Sequence, residues 1–169
     1  MVGSPSNDIN SSEYLRVVHG VQYSPAPHFD IDEEYALQQA IQSLIKNGVI
    51  RSAHGVSEGG LLAALTECAM ASGLGFSVET DSNFRKDAYL FGEYQSRVIV
   101  TVDTAREDDL VNYLNGNNVP FSMLGQVQGD RLDIDGQDFG PIADWSSFYD
   151  NRLGEMMKGD STFSQNHNL

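Results

Sequence analysis

The sequence predicts an α+β domain, a mixed sheet with helices packed on it, and three observations carry that expectation. Strand-like and helix-like apolar periods are interleaved, in the order β-α-β-α-β and then β-α-β-β-α. Two late apolar runs, Phe121–Val127 and Arg131–Ile134, are separated only by Gln128-Gly129-Asp130, whose turn chemistry predicts a hairpin. The length, 169 residues with 40% hydrophobic side chains, suits one domain with a real core. No repeat with a period of about 20–50 residues stands out.

Taken in order, residues 1–12 are rich in Ser, Asn, Gly and Pro and read as a disordered tip. Leu15–Tyr23, with Leu15, Val17, Val18 and Val21, reads as a short strand, and Pro25 and Pro27 make Ser24–Phe29 a loop. Asp30 or Asp32 caps a helix whose first turn carries Glu33 and Glu34, favourable beside the positive end of the helix dipole. Leu37, Ile41, Leu44 and Ile45 then draw one apolar stripe until Asn47-Gly48 ends it.

Val49–Val56 reads as a strand entering a tight loop at Ser57–Gly60. An alanine-rich helix follows, with Leu61, Leu62, Leu65, Cys68 and Ala69 on one face, and Gly73 stops it. Phe76–Thr80 is a strand, Asp81–Asp87 a loop, and Tyr89–Arg97 a bend leading into Val98–Val102. Those five β-favouring residues predict a strand covered on both faces. Glu107–Asn115 is a surface helix with Leu110, Val111 and Leu114 inward. Pro141 opens a last helix carrying Ile142, Trp145, Phe148, Leu153, Met156 and Met157, which Gly154 weakens. The folded domain is expected over 13–157, with a flexible tail at 158–169.

Composition removes several functions. With 10 Lys+Arg against 24 Asp+Glu the net charge is −14 and no basic cluster exists, so neither nucleic acid nor an anionic membrane is an expected partner. No apolar run approaches the ~20 residues that cross a bilayer. Residues 1–12 lack a signal-peptide pattern. The single cysteine, Cys68, makes no internal disulfide and belongs to no metal-ligand spacing, so it reads as a small buried hydrophobe. Together these point to a cytoplasmic protein.

Chemistry is concentrated in two segments. In Arg51-Ser52-Ala53-His54-Gly55-Val56-Ser57-Glu58-Gly59-Gly60-Leu61-Leu62, a serine and two adjacent glycines lie between a strand and a helix. Backbone N–H groups there face the positive helix end. Gly59 and Gly60 let an anion approach, and Ser57 adds a hydroxyl donor, which makes a phosphate site. The same residues also suit a plain N-cap and tight turn. His54 either donates to the phosphate or is a satisfied, partly buried side chain, and Glu58 either faces solvent or pairs with Arg51 or Arg97.

The second segment is Leu90-Phe91-Gly92-Glu93-Tyr94-Gln95-Ser96-Arg97. Glu93 accepts from hydroxyls, Gln95 recognises amide or ribose groups, and Arg97 holds a carboxylate or phosphate bidentately. The competing reading is a Glu93–Arg97 ion pair that fixes the bend. Asp133-Ile134-Asp135-Gly136 followed by Asp138 mimics part of a calcium loop but lacks its final bidentate Glu, and a hairpin turn accounts for it. No catalytic constellation and no metal site is legible.

These two segments carry a resemblance. Ser52–Leu61 resembles the HDVS(D/E)GGL loop, and Leu90–Arg97 the LF(G/S)E-x-QSR segment, of the second carboxy-terminal lobe of phosphoribosylformylglycinamidine synthases. Glu13-Tyr14-Leu15, the proline-rich Tyr23–Phe29 and the helix ending Asn47-Gly48-Val49 are similar too, so the likeness runs from about Ser12 to Met157.

The resemblance implies a fold similar to the C-terminal domain of aminoimidazole ribonucleotide synthetase. It implies an ATP-dependent, amidine-forming ligase of purine biosynthesis, assisted by magnesium. His54, Ser57, Gly59 and Gly60 become phosphate- or substrate-binding candidates, beside Glu93, Gln95 and Arg97. The family's ATP, Mg2+ and catalytic-histidine residues lie in other lobes. The chain alone is therefore expected to bind no cofactor and to be inactive. Implied partners are the remaining lobes, a glutaminase, small accessory subunits and a small phosphorylated substrate. Gly55 stands where the family usually has Asp. A non-catalytic scaffold lobe, or a lobe of another member of the superfamily, is the rival reading.

Overall fold

The computed structural model describes residues 1–158, in which six α-helices, one short 3-10 helix and six strands form the α+β architecture expected from the sequence. β1 (Ser52–Gly55) pairs antiparallel with β3 (Val98–Thr101). A second sheet has the order β4-β2-β5-β6, from Gly125–Val127, Phe76–Val78, Arg131–Ile134 and Gln137–Pro141. The β2–β5 pair is parallel and the others antiparallel, so the sheet is mixed.

α2 (Ile31–Lys46) begins where its cap requires. The Asp30 carboxylate accepts from the Asp32 and Glu33 N–H groups at 2.9 and 3.1 Å, and three acidic residues occupy the first turn. Leu37 and Leu44 of its stripe are buried, Ile41 is half-buried, and Ile45 faces solvent. α3 (Gly60–Ser72) ends at Gly73, left-handed at φ +67°. α5 (Glu107–Gly116) buries Leu110 and Leu114, and α6 (Ile142–Met157) starts after Pro141. Two apolar clusters result. One joins α3, β2, β5 and Ile142; the other lies between α2, α5 and β3.

Four expectations are corrected. Residues 1–12 form no loose tip: Met1 and Val2 are 6% and 1% exposed and sit in different core clusters. Val2 bridges both Val98 of β3 and Phe121, which ties β3 to the segment that runs on into β4.

Leu15–Tyr23 is no strand. Ser12 caps α1 (Glu13–Val18), accepting from the Leu15 N–H at 3.3 Å. Val17 and Val18 are 56% and 62% exposed, so β-branched composition was overridden where no sheet partner is within reach. The expected loop and bend likewise contain α4 (Lys86–Phe91).

The turn at Gln128–Asp130 joins no hairpin, because β2 lies between β4 and β5. It wraps Gly75 instead, with N–H to O contacts of 3.0 Å in both directions, Gly75 to Gly129 and Gln128 to Gly75. A Cβ on Gly75 would lie 2.1 Å from the Arg131 carbonyl oxygen, so only glycine fits there. The real hairpin is β5–β6, turning at Asp135-Gly136 with φ +54° and +75°, the two left-handed residues of a type I′ turn. Of the tail expected at 158–169, all beyond Lys158 lies outside the described residues.

Candidate functional site

The two motifs meet in space. As β1 leaves the sheet, the Val56 N–H donates to the Arg97 carbonyl at 3.0 Å, so the glycine loop starts where the Leu90–Arg97 segment ends. Gly59 and Gly60 are left-handed at φ +80° and +70°, and α3 begins on them. Their amides are already engaged. The Gly59 N–H donates to Glu93 Oε1 at 3.0 Å, and the Gly60 N–H to the Ser57 carbonyl at 3.0 Å.

Glu93 Oε1 also accepts from the Glu13 N–H at 2.8 Å. One carboxylate thus occupies the cradle that the sequence reserves for an external anion, and ties α1 to the start of α3 at the positive end of that helix. Tyr14, next to Glu13, stacks its ring on Phe91 with centroids 4.6 Å apart. Gly60 is required by packing. A Cβ there would lie 2.6 Å from the Leu90 carbonyl oxygen and 2.8 Å from that of Gly92, so the close approach belongs to the protein's own backbone.

Arg97 is corrected from a ligand contact to an internal clamp. It is 2% exposed, lies 3.6 Å from the centre of the Tyr94 ring, and donates from Nη2 to the Gly92 carbonyl at 2.6 Å. Burial pushes its pKa down, the Tyr94 and Tyr89 hydroxyls acting in the opposite direction. Nη1 is buried with no hydrogen-bond partner. The expected Glu93–Arg97 pair does not form, since Glu93 turns to the amides and Arg97 to the carbonyls of the same bend.

The residues around this bend are held from a distance. The Tyr94 hydroxyl accepts from the Ser6 N–H at 2.7 Å, and Ser96, left-handed at φ +63°, donates to Glu34 of α2 at 2.7 Å. Gln95 and Ser57 are exposed, as is Glu58. Arg51, one partner suggested for Glu58, bonds Asp103 at 2.7 Å.

His54 does not join the loop. Its Nε2 lies 2.8 Å from Glu67 Oε2, in an open groove of about 540 Å³ lined also by Met70, Ser146, Tyr149 and Asp150. Glu67 and Glu13 escaped sequence reasoning, because their partners lie 13 and 80 residues away and no periodic signal connects them.

Among the described residues no group of three or more His, Cys, Asp and Glu is placed to hold an ion. Three cavities of about 380, 540 and 160 Å³ are lined by none of Ser57, Gly59, Gly60, Glu93 and Arg97. Among the described residues no helix is long and apolar enough to cross a membrane.

Comparison with known proteins adds the following. The sequence profile of AIR synthase related protein, C-terminal domain, matches residues 1–136. The chain is 42% identical over 135 residues to the phosphoribosylformylglycinamidine synthase subunit PurL of Synechocystis sp., and 36% identical over 134 residues to that of Alkaliphilus metalliredigens. These alignments cover 78% and 79% of this chain but only 18% of either relative, so the chain spans about a fifth of their length.

Among solved structures, T. maritima PurL complexed with FGAR superposes with a TM-score of 0.70 at 16% identity, over 86% of this chain and 27% of that one. The same protein complexed with ATP gives 0.56 at 16% identity, over 66% and 21%. The PurLQS structure from T. maritima gives 0.61 at 12% identity, over 83% and 26%. At these identities the structures establish the fold.

Proposed function

The chain belongs to the family of AIR synthase related protein, C-terminal domain, and on that premise we propose that it is the carboxy-terminal domain of an ATP-dependent, amidine-forming ligase of purine biosynthesis. The reaction is that of a phosphoribosylformylglycinamidine synthase. Formylglycinamide ribonucleotide, ATP and glutamine-derived ammonia give formylglycinamidine ribonucleotide, ADP and phosphate. The observation that carries this reading is the 42% identity to a PurL subunit across 78% of the chain.

ATP and Mg2+ belong to the rest of that enzyme. Magnesium there neutralises phosphate charge; no cluster of this chain's described residues has the donors for it. Its working partners are the other lobes, a glutaminase and small accessory subunits, in the cytoplasm. Ser57 and Gln95 are the two exposed candidates on the joined motifs and are assigned the substrate side. Gly59, Gly60, Glu93 and Arg97 hold the shape between them.

A scaffold lobe that contacts no substrate is the second reading, and the Glu93 carboxylate seated on the Gly59 amide favours it. Supplying the chain with the missing lobes and assaying amidine formation tests the first. Activity is expected only when both are present, and turnover by the chain alone would overturn the assignment. In the reconstituted enzyme Ser57→Ala and Gln95→Ala are expected to raise KM for the ribonucleotide. Unchanged KM and kcat in both would establish the scaffold reading.

A further inference from the structure

We infer that Glu34, in the first turn of α2, is the positioning residue for Gln95: by holding Ser96 in a left-handed conformation it fixes the direction in which Gln95 leaves the bend. The inference rests on the assignment of Gln95 to the substrate side, and its conformational half is testable with no substrate present.

Two demands meet in Tyr94-Gln95-Ser96-Arg97. Tyr94 and Arg97 are 6% and 2% exposed, and the guanidinium lies 3.6 Å from the centre of the Tyr94 ring. Residues three apart on a plain extended segment face opposite sides, so the backbone has to turn between these two. It turns at Ser96, φ +63°, and Gln95 is the exposed member of the four. The same turn that brings Arg97 back onto Tyr94 therefore sends Gln95 outward.

That region of backbone is disfavoured for a residue with a Cβ and persists only where the surroundings impose it. Two contacts do so. The Ser96 hydroxyl donates to Glu34 Oε2 at 2.7 Å, a charge-assisted bond. The Ser96 carbonyl is packed against Gly3, where an added Cβ would lie 2.0 Å from its oxygen. Glycine at position 96 would reach the same φ without cost but would leave the bend free to open. A serine held through its hydroxyl keeps one conformation.

Glu34 is itself well placed for this. Its N–H donates to the Asp30 carbonyl at 3.1 Å, inside the turn that the Asp30 side chain caps. Its second carboxylate oxygen, Oε1, accepts from Gln38 Nε2 at 2.7 Å, one helical turn on. One oxygen is steadied by the helix and the other is presented to Ser96. The chain of command runs from a helix cap through Glu34 and Ser96 to Gln95, which Glu34 affects through the backbone between them.

The test uses Glu34→Ala, Glu34→Gln and Ser96→Ala beside the unaltered chain. Scalar couplings and backbone chemical shifts of residue 96 report its φ. A left-handed φ is expected in the unaltered chain and in Glu34→Gln, which keeps an acceptor oxygen. In Glu34→Ala and Ser96→Ala it should move or average toward negative φ. A residue 96 that stays left-handed in Glu34→Ala overturns the inference, whatever the site binds.

In the enzyme reconstituted with the missing lobes, Glu34→Ala should raise KM for the ribonucleotide about two- to tenfold, the range of one lost hydrogen bond, while kcat stays within about twofold. Glu34→Gln should recover most of that loss. Added to Gln95→Ala, Glu34→Ala should raise KM no further, because both act through one side chain. Additive losses overturn the inference and leave the substrate-side reading standing, as does a KM effect of Gln95→Ala with none from Glu34→Ala. If Gln95→Ala itself leaves KM unchanged, the substrate-side reading falls and the positioning role falls with it.

Discussion

Glu93 Oε1 lies 3.0 Å from the Gly59 amide nitrogen and 2.8 Å from that of Glu13, so a single side-chain oxygen closes the amino-terminal ends of two helices. The chain fills its own anion cradle. Glu93→Ala leaves both amides without this acceptor, and we expect a loss of about 2 kcal/mol in denaturant unfolding. Glu93→Gln keeps an acceptor oxygen without the charge and should lose less. Equal stability of all three proteins would show that the contact carries no weight.

Gly55 and Gly60 should respond oppositely to a side chain. Gly60 is left-handed, and its added Cβ meets backbone at 2.6–2.8 Å. Gly60→Ala is therefore expected to cost about 3 kcal/mol or more, from backbone strain and overpacking together. Gly55 has nothing within 4 Å of an added Cβ. Gly55→Asp, which restores the residue usual in the resembling loop, should change unfolding free energy by less than about 1 kcal/mol. Chemical denaturation of the two variants side by side checks both.

Arg97 is a buried cation held by the Gly92 and Tyr94 carbonyl oxygens and the Tyr94 ring. Arg97→Lys keeps the charge but loses the planar fork, and about 2 kcal/mol of stability should go with it. Arg97→Met removes the charge and keeps apolar bulk, so it should be tolerated better than Lys. The reverse order in thermal melts would mean that the cation, not the packing, holds the bend.

The Asp30 cap gives a pH dependence with a definite sign. Bonds from the Glu33 and then the Asp32 N–H hold its carboxyl below the ordinary aspartate range. A lowered folded-state pKa contributes stability that is present above the unfolded value of about 3.9 and lost as pH falls through the folded one. Wild type should exceed Asp30→Ala in stability at neutral pH, and the difference should shrink as pH falls below about 4. A gap that stays constant down to pH 2 would contradict this assignment.

Local signals were read correctly where both partners lie within a few residues of each other. Asp30 with its two amides, Gly73 as the stop of α3, Pro141 before α6 and the Asp135-Gly136 turn all belong to that class. The α+β class followed, because apolar period and turn chemistry are local quantities. The valines of Leu15–Tyr23 misled because β-branched residues favour a strand only where a neighbouring strand exists, and Ser12 offered a helix cap instead.

The sequence by itself determined α2, α3, α5 and α6, the family motifs and the fact that Gly59 and Gly60 stand at a strand-to-helix junction. Only the tertiary structure decided what occupies that junction. Glu93 reaches it from 34 residues away, Glu13 from 46 residues on the other side, and Met1 and Val2 turn out to be core. The reason is physical: a cap, a turn or an apolar stripe is fixed by interactions within one or two turns of chain. Which acceptor satisfies an open amide, and which strand fills a gap in a sheet, depends on closing long loops whose ends carry no mark of each other.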